Sequence, residues 1–121
     1  MTLRVLLVED SRVLAERLRE ALATLENVEV VATASDETAA VAAVREKQPD
    51  VIILDLQLKE GTGFGVLEQL GETRPIIIVF TNYMLPEYQR LASTFGVEHY
   101  LNKSVDYERL PQLIQEIGAT H

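Results

Sequence analysis

The stretch LRVLLVED, from Leu3 to Asp10, starts as an apolar strand pattern and ends in two adjacent carboxylates, Glu9 and Asp10. A near-continuous apolar run is typical of a strand that is covered on both faces of a parallel sheet. Burial of a carboxylate is costly unless water or a cation compensates its charge. The stretch therefore raises one question, which is whether this strand end is solvated or holds a cation.

Similar patterns along the rest of the chain predict the architecture. Further strands are predicted at Val28–Ala34, Val51–Asp55, Ile76–Thr81 and Val97–Leu101. Helical patterns lie after each strand and begin near Ser11, Asp36, Gly63, Leu85 and Asp106. In the last of them Pro111 must lie in the first turn or kink the helix. Strands that alternate with helices predict right-handed crossovers and an all-parallel α/β sheet.

Length and composition restrict the class of protein. A chain of 121 residues fits one domain, predicted over residues 1–121. The net charge of -8 argues against direct nucleic-acid binding, and no apolar run is long enough for a membrane span. The absence of cysteine excludes a disulfide framework and a cysteine metal site. We therefore expect a cytoplasmic domain.

Polar side chains stand where the predicted strands end. They are Glu9, Asp10, Asp55 and Thr81, with Asn102 and Lys103 just after the fifth strand. The carboxyl ends of parallel strands share one edge of the sheet, where such folds place their sites. Carboxylates that are brought together repel one another, and a hard divalent cation relieves the repulsion. Mg²⁺ fits because it takes one or two carboxylates and keeps several waters.

A metal beside Asp55 makes phosphoryl chemistry plausible. A carboxylate can attack a phosphoryl group and form an aspartyl-phosphate. The ammonium of Lys103 and the hydroxyl of Thr81 would then neutralise the phosphoryl oxygens together with the metal.

Four motifs in this order resemble the receiver domains of two-component response regulators, the single-domain chemotaxis regulator among them. The motifs are VEDS, ILDLQLKEGTG, FTN and HYLNKS. Each is weak alone, but their order on a repeated strand–helix pattern is specific and covers essentially the whole chain. The resemblance implies a flavodoxin-like (βα)5 fold with strand order 2-1-3-4-5. The simplest interpretation is a stand-alone regulator, and a receiver excised from a longer protein is the alternative.

The resemblance also implies roles at the site. Asp55 would accept phosphate from a histidine kinase or a histidine phosphotransfer protein. Mg²⁺ would be held by Glu9, Asp10, Asp55 and the backbone carbonyl of Gln57. The protein would not be an enzyme in the metabolic sense, because it would turn over only its own acyl phosphate.

The implied signal passes through a conformational switch. Thr81 and Lys103 would contact the phosphoryl group, and Tyr100 matches the switch aromatic of the family. The added charge, about -1.5 to -2, would be coupled to the face of the fourth helix, fifth strand and fifth helix. That face would bind a downstream protein target or support a phosphorylation-dependent dimer.

Several residues depart from the family pattern. Ser104 replaces a proline with a cis bond, which predicts a strained cis bond, costing about 3–4 kcal/mol, or a trans bond with a shifted loop. Lys59 also replaces a proline, which predicts a looser loop after the third strand. Asn82 is larger than usual and would crowd the phosphate or donate to it. Gln57 and Tyr83 lie where the family tunes dephosphorylation.

Two other functions were weighed against the receiver. An aspartyl phosphatase would carry a second aspartate as general acid at the place of Gln57. A flavin carrier would offer backbone amides and hydroxyls to a phosphate in the loop after its first strand. Here that loop carries Glu9 and Asp10, which would repel the anion.

Some apolar and aromatic side chains are predicted to form an exposed partner surface in addition to contributing to the core. The group is Tyr83, Met84, Leu85, Tyr88 and Tyr107. His99 and His121 share no recognisable pattern with acids and are interpreted as incidental.

Overall fold

The computed structural model describes residues 2–72 and 75–121, in which five strands alternate with five helices. The strands are β1 (Leu3–Val8), β2 (Val28–Ala34), β3 (Val51–Leu54), β4 (Ile76–Thr81) and β5 (His99–Asn102). The helices are α1 (Arg12–Ala23), α2 (Glu37–Lys47), α3 (Gly63–Leu70), α4 (Pro86–Thr94) and α5 (Arg109–Thr120). Among the described residues, no helix is long and apolar enough to cross a bilayer.

All the strand pairs are parallel, and the order across the sheet is β2-β1-β3-β4-β5. This confirms the predicted flavodoxin-like α/β fold. The central strands β1 and β3 pair in register, so the residues that follow Val8 and Leu54 emerge side by side. The strand order 2-1-3-4-5 across the parallel sheet therefore brings the polar ends of β1, β3 and β4 to one edge.

The sheet separates two apolar cores. Leu7 of β1 faces one cluster with Leu18 of α1 and Ile114 of α5, and the neighbouring Leu6 faces the other cluster with Val66 of α3. Successive side chains of a strand point to opposite faces, so a strand that is covered twice must be apolar at every position. This explains the unbroken apolar run Val5–Val8 in the first strand, which follows the half-buried Arg4.

Short polar side chains start the first three helices. Ser11, Asp36 and Thr62 each accept a hydrogen bond from the backbone N–H three residues later, at 3.3, 2.8 and 2.9 Å. Such caps satisfy N–H groups that have no partner inside the helix. The predicted starts near Ser11 and Asp36 are confirmed, and α3 begins at Gly63 as predicted, with Thr62 as its cap. Pro111 lies in the first turn of α5, as one of its two predicted placements required.

Two strand ends differ from the prediction. Asp55 lies just after β3, and β5 begins at His99 because the N–H of Val97 closes the end of α4 on the carbonyl of Ala92 at 3.2 Å. Gly96 follows the cap residue Phe95 with φ 80°, a left-handed conformation that favours glycine at a helix end. The shift moves Asn102 into β5, directly before Lys103.

Gly63→Ala is expected to lower the free energy of unfolding by about 1–3 kcal/mol. A Cβ at Gly63 would lie 2.4 Å from the carbonyl oxygen of Asp55 and 2.9 Å from the Cα of Leu56, so the backbone itself must move. Urea denaturation measures the loss. Gly118→Ala is the control, because its Cβ would meet only Leu3, at 3.8 Å, and alanine favours a helix. Equal stability of the two variants would contradict the prediction.

Candidate functional site

The carboxyl edge of the sheet holds the buried polar side chains of the described residues. They are Glu9 at 6% exposure, Asp55 at 4% and Thr81 at 0%. They follow or end three different strands. Buried polar groups need partners, so the contacts of these residues define the site.

Three carboxylates lie together at this edge. Glu9, Asp10 and Asp55 each offer one oxygen, and these oxygens all lie within 4.8 Å of one another. Asp10 is exposed while the other two are buried, so the cluster opens to solvent on one side. An oxygen-only donor set with a free approach suits a hard divalent cation. The residues predicted as metal ligands from their side chains are therefore brought together.

Lys103 lies between the two buried carboxylates. Its Nζ is 2.7 Å from Glu9 Oε1 and 2.6 Å from Asp55 Oδ2, and its side chain is 14% exposed. Burial lowers the pKa of Lys103, but the bonds to Asp55 and Glu9 outweigh burial, so the pKa lies above its ordinary value. The ammonium of Lys103 therefore compensates the charge of the carboxylate that follows β1.

The charged form of Glu9 is nevertheless less stable than that of a carboxylate in water. Burial raises the pKa of Glu9 above its ordinary value, although bonds from Lys103 and from the N–H of Ser11 (2.9 Å to Oε2) act against it. One ammonium thus compensates two buried acids incompletely. A further positive charge at this edge would be stabilising.

The two predicted switch residues are connected through the main chain of Tyr83. Thr81 Oγ1 accepts the N–H of Tyr83 at 3.2 Å, and the carbonyl of Tyr83 accepts the hydroxyl of Tyr100. Burial, with Tyr88 nearby, raises the pKa of Tyr100, so its hydroxyl stays protonated and remains a donor. A movement of the Thr81 hydroxyl would therefore disturb the segment to which Tyr100 is bonded.

A cleft of about 150 Å³ lies over the carboxylates. It is lined by Asp10, Asp55, Gln57, Asn82, Tyr83 and Lys103. The N–H of Gln57 donates to Asp55 Oδ1 at 3.3 Å, which fixes the main chain of Gln57 beside the site. The role of the Gln57 carbonyl as a metal ligand stays a prediction.

The loop after β5 is held without proline. No peptide bond of the described residues is cis, so the bond before Ser104 is trans, the second of the two predicted alternatives. Asn102 Oδ1 accepts the N–H groups of Ser104 and Val105 at 2.8 and 2.9 Å, and Asp106 Oδ2 accepts the N–H of Asn102 at 2.9 Å. That bond, with Arg109, lowers the pKa of Asp106. These turns also explain why α5 starts later than predicted.

The loop after Asp55 was expected to be loose, and the structure corrects this. The N–H of Lys59 donates to the carbonyl of Ser35 at 3.3 Å, and the carbonyl of Glu60 accepts the N–H of Glu37 at 3.0 Å. The loop is thus docked on the start of α2, and the rigidity that a proline would provide comes from tertiary hydrogen bonds.

The predicted partner surface is divided in the structure. Tyr83 and Leu85 are 39% and 53% exposed, whereas Tyr107 packs on Phe80 with ring centroids 6.2 Å apart. Leu91 of α4, which the sequence reasoning missed, is 43% exposed. A partner role for the exposed part stays a prediction.

The two histidines lie away from the carboxylate cluster. His99 is in β5, and His121 Nε2 is 3.2 Å from Asp50 Oδ1 at the opposite edge of the sheet. His121 therefore has an acidic neighbour that the sequence pattern did not indicate, although the contact is remote from the cleft.

Comparison with known proteins gives consistent matches. The family described as "Response regulator receiver domain" matches residues 5–115. An uncharacterized response regulatory protein of Vibrio cholerae is 33% identical over 98% of this chain and 50% of the relative. The transcriptional regulatory protein DesR of Bacillus subtilis is 32% identical over 93% of this chain and 57% of its own length. This chain thus spans about half the length of these relatives.

A solved structure gives the same result for the fold. A two-component response regulator of the LuxR family from Aurantimonas sp. SI85-9A1 superposes with a TM-score of 0.87 at 29% identity. The superposition covers 100% of this chain and 88% of that one. Agreement of sequence and structure over the whole chain covers both the strand order and the edge that bears the carboxylates.

Proposed function

We propose that this chain, which belongs to the family of response regulator receiver domains, takes a phosphoryl group onto Asp55 from a histidine kinase or a histidine phosphotransfer protein. The observation that carries the proposal is the buried carboxylate of Asp55, 2.6 Å from the ammonium of Lys103 and grouped with Glu9 and Asp10. A carboxylate held at the edge of an open cleft can act as a nucleophile toward phosphorus.

In the proposed step an Asp55 oxygen forms a bond to phosphorus while the bond from phosphorus to the donor histidine nitrogen breaks. Lys103 and the hydroxyl of Thr81 donate to the phosphoryl oxygens, where charge is spread in the transition state. Thr81 can donate its O–H to a phosphoryl oxygen even while its oxygen accepts the N–H of Tyr83, because a hydroxyl is both donor and acceptor. The leaving imidazole takes the electron pair of the broken bond.

The proposed metal is Mg²⁺, held by side chains of Glu9, Asp10 and Asp55 and by the backbone carbonyl of Gln57. It would neutralise phosphoryl charge at the cleft. The oxygen-only cluster and the incompletely compensated Glu9 support this choice. Other hard divalent cations that prefer oxygen ligands would fit the same cluster, because all of its donors are oxygens.

The output would be a change of surface. Movement of the Thr81 hydroxyl toward the phosphoryl group would break its bond to the Tyr83 segment and shift Tyr100, which is bonded to that segment. The change would reach the face of α4, β5 and α5, where a downstream protein or a second phosphorylated copy would bind. The proposal includes one receiver domain over residues 1–121, in the cytoplasm, with no direct nucleic-acid contact and no metabolic enzyme activity.

The test is incubation with phosphoramidate, with and without Mg²⁺, followed by intact mass measurement. A single phosphate adduct that requires Mg²⁺ is expected. Rapid turnover of a generic phosphate monoester, with no adduct, would instead favour the phosphatase and contradict the proposal.

Asn82→Ala is expected to speed both the gain of phosphate from phosphoramidate and its loss severalfold. The Asn82 side chain lines the cleft, and Ser104 Oγ donates to its Oδ1 at 3.2 Å, so two loops are tied across the opening. Removing the side chain opens the cleft both to phosphoramidate, which donates the phosphate, and to the water that hydrolyses the aspartyl-phosphate. Time courses of the adduct by mass measure the two rates.

Ser104→Ala is the matched variant, because it releases Asn82 without removing it. A smaller acceleration of both rates is expected. If Asn82→Ala changes neither rate, the residue does not restrict the cleft.

A further inference from the structure

Glu37, the first residue of α2, reaches across to the loop that follows Asp55. Its Oε1 accepts the N–H of Thr62 at 3.0 Å, and its Oε2 accepts Nε2 of Gln69 at 2.6 Å. Its own N–H donates to the carbonyl of Glu60 at 3.0 Å. Through these contacts, which we call the Glu37 clasp, one half-buried residue holds three points of a loop and helix that lie 23 to 32 positions further along the chain.

Two glycines leave room for this side chain. A Cβ at Gly65 would lie 2.1 Å from Glu37 Oε1, and a Cβ at Gly61 would lie 2.5 Å from the Glu37 Cβ. Gly61 also has φ +81°, which favours glycine. The surroundings therefore fit Glu37 closely, and this fit is independent of the hydrogen bonds.

The held loop leads directly to the site. Gln57 pairs with Thr62 across the loop, and the N–H of Gly63 donates to the carbonyl of Leu56 at 2.9 Å. Gln57 in turn donates its N–H to Asp55 Oδ1. Fixing Thr62 therefore fixes the main chain of Gln57 beside the carboxylates.

We infer that Glu37 is a positioning residue that sets the affinity of the site for Mg²⁺ by holding the Gln57 main chain in place. The inference rests on the proposed function, in which the Gln57 carbonyl is a metal ligand. A free loop must be ordered when the cation binds, and this lowers affinity, whereas a clasped loop is already ordered. Ordering about one residue corresponds to an affinity about tenfold weaker without the clasp.

The experiment is a Mg²⁺ titration of the folded protein, followed by the backbone amide signals of residues 57–62 in NMR spectra. Glu37→Ala is expected to weaken binding about tenfold. Gly65→Ala should weaken it as well, because the added methyl expels the Glu37 carboxylate but keeps its charge. Glu37→Gln, which keeps both size and an acceptor, serves if either variant fails to fold.

Glu60→Gln is the matched control, because it removes one negative charge from the same exposed loop. It keeps the main-chain carbonyl of Glu60, so the hydrogen bond from the N–H of Glu37 is preserved. Its affinity should stay within about twofold of wild type. Phosphorylation of Glu37→Ala by phosphoramidate should recover the wild-type rate at saturating Mg²⁺, which a general loss of structure would prevent.

Two outcomes would overturn the inference. If wild type binds Mg²⁺ and is phosphorylated while Glu37→Ala binds as tightly as Glu60→Gln, the clasp does not act on the site and the proposed function stands. If wild type binds no Mg²⁺, both the inference and the metal part of the proposed function fail.

Discussion

Asp55→Asn is expected to remove the Mg²⁺-dependent phosphate adduct completely. The amide oxygen and nitrogen are poor nucleophiles, and the substitution also removes one of the three clustered carboxylate oxygens. The side chain keeps its size, and its buried position is preserved, so the fold should persist. Intact mass after incubation with phosphoramidate and Mg²⁺ measures the result, with wild type in parallel.

Two further variants show whether the effect belongs to the nucleophile. Asp10→Asn keeps the nucleophile but weakens the metal cluster, so its adduct should appear only at raised Mg²⁺. Asp50→Asn removes a carboxylate at the opposite edge of the sheet, where it contacts His121, and should be phosphorylated like wild type. A persistent adduct in Asp55→Asn would assign the phosphate to another residue.

The sequence predicted the fold because its decisive signals are periodic and local. A stretch of strand that is covered on both faces needs an apolar residue at every position, and the run Val5–Val8 in β1 shows it directly. The site followed from topology, because parallel strands with polar ends must place Glu9, Asp55 and Thr81 at one edge. These inferences need no knowledge of side-chain contacts.

The tertiary contacts around the site leave no periodic or local signal in the sequence. Glu37 meets Thr62 over 25 positions of sequence, and a glutamate at the start of a helix usually interacts with that helix alone. Likewise, Asn102 and Asp106 hold the loop after β5 through their hydrogen bonds, and nothing in their spacing identified this beforehand. A signal was present at Gly61 and Gly65, since closely spaced glycines often mark a near approach of another group.

The ion pairs of Lys103 were also missed, and they change how the site is understood. The sequence assigned this ammonium to the phosphoryl group, whereas in the structure it already bonds to Glu9 and Asp55. In the proposed reaction Lys103 would use its remaining N–H donor for a phosphoryl oxygen, because an ammonium has three donors and two of them now bond to Glu9 and Asp55.

Lys103→Met is the second variant with a large expected effect. Without Mg²⁺ it should lose about 3 kcal/mol of unfolding free energy, because Glu9 and Asp55 remain buried and uncompensated. Phosphorylation by phosphoramidate should slow by about 10²-fold or more, since a donor to the transition-state charge is removed. Lys59→Met, the same substitution at an exposed lysine, should change neither quantity appreciably.

The loss of stability in Lys103→Met should depend on pH in a defined direction. Burial already raises the pKa of Glu9 above its model-compound value of 4.5, so the folded state holds this proton more tightly than the unfolded chain does. Stability from that proton is fully present below 4.5 and is lost as the pH rises through the raised value. Without the ammonium the pKa of Glu9 rises further, so the deficit against wild type should be small in acid and large at neutral pH.

Mg²⁺ distinguishes electrostatic from steric causes of that deficit. If Lys103→Met is destabilised because two acids lack a counter-charge, Mg²⁺ should stabilise the variant more than wild type at neutral pH, and a hundredfold excess over the variant's dissociation constant should add about 2.7 kcal/mol to its free energy of unfolding. Urea denaturation at both pH values, with and without Mg²⁺, measures all four conditions. A deficit that is equal at both pH values and insensitive to Mg²⁺ would mean that Lys103 stabilises the edge by packing and not by its charge.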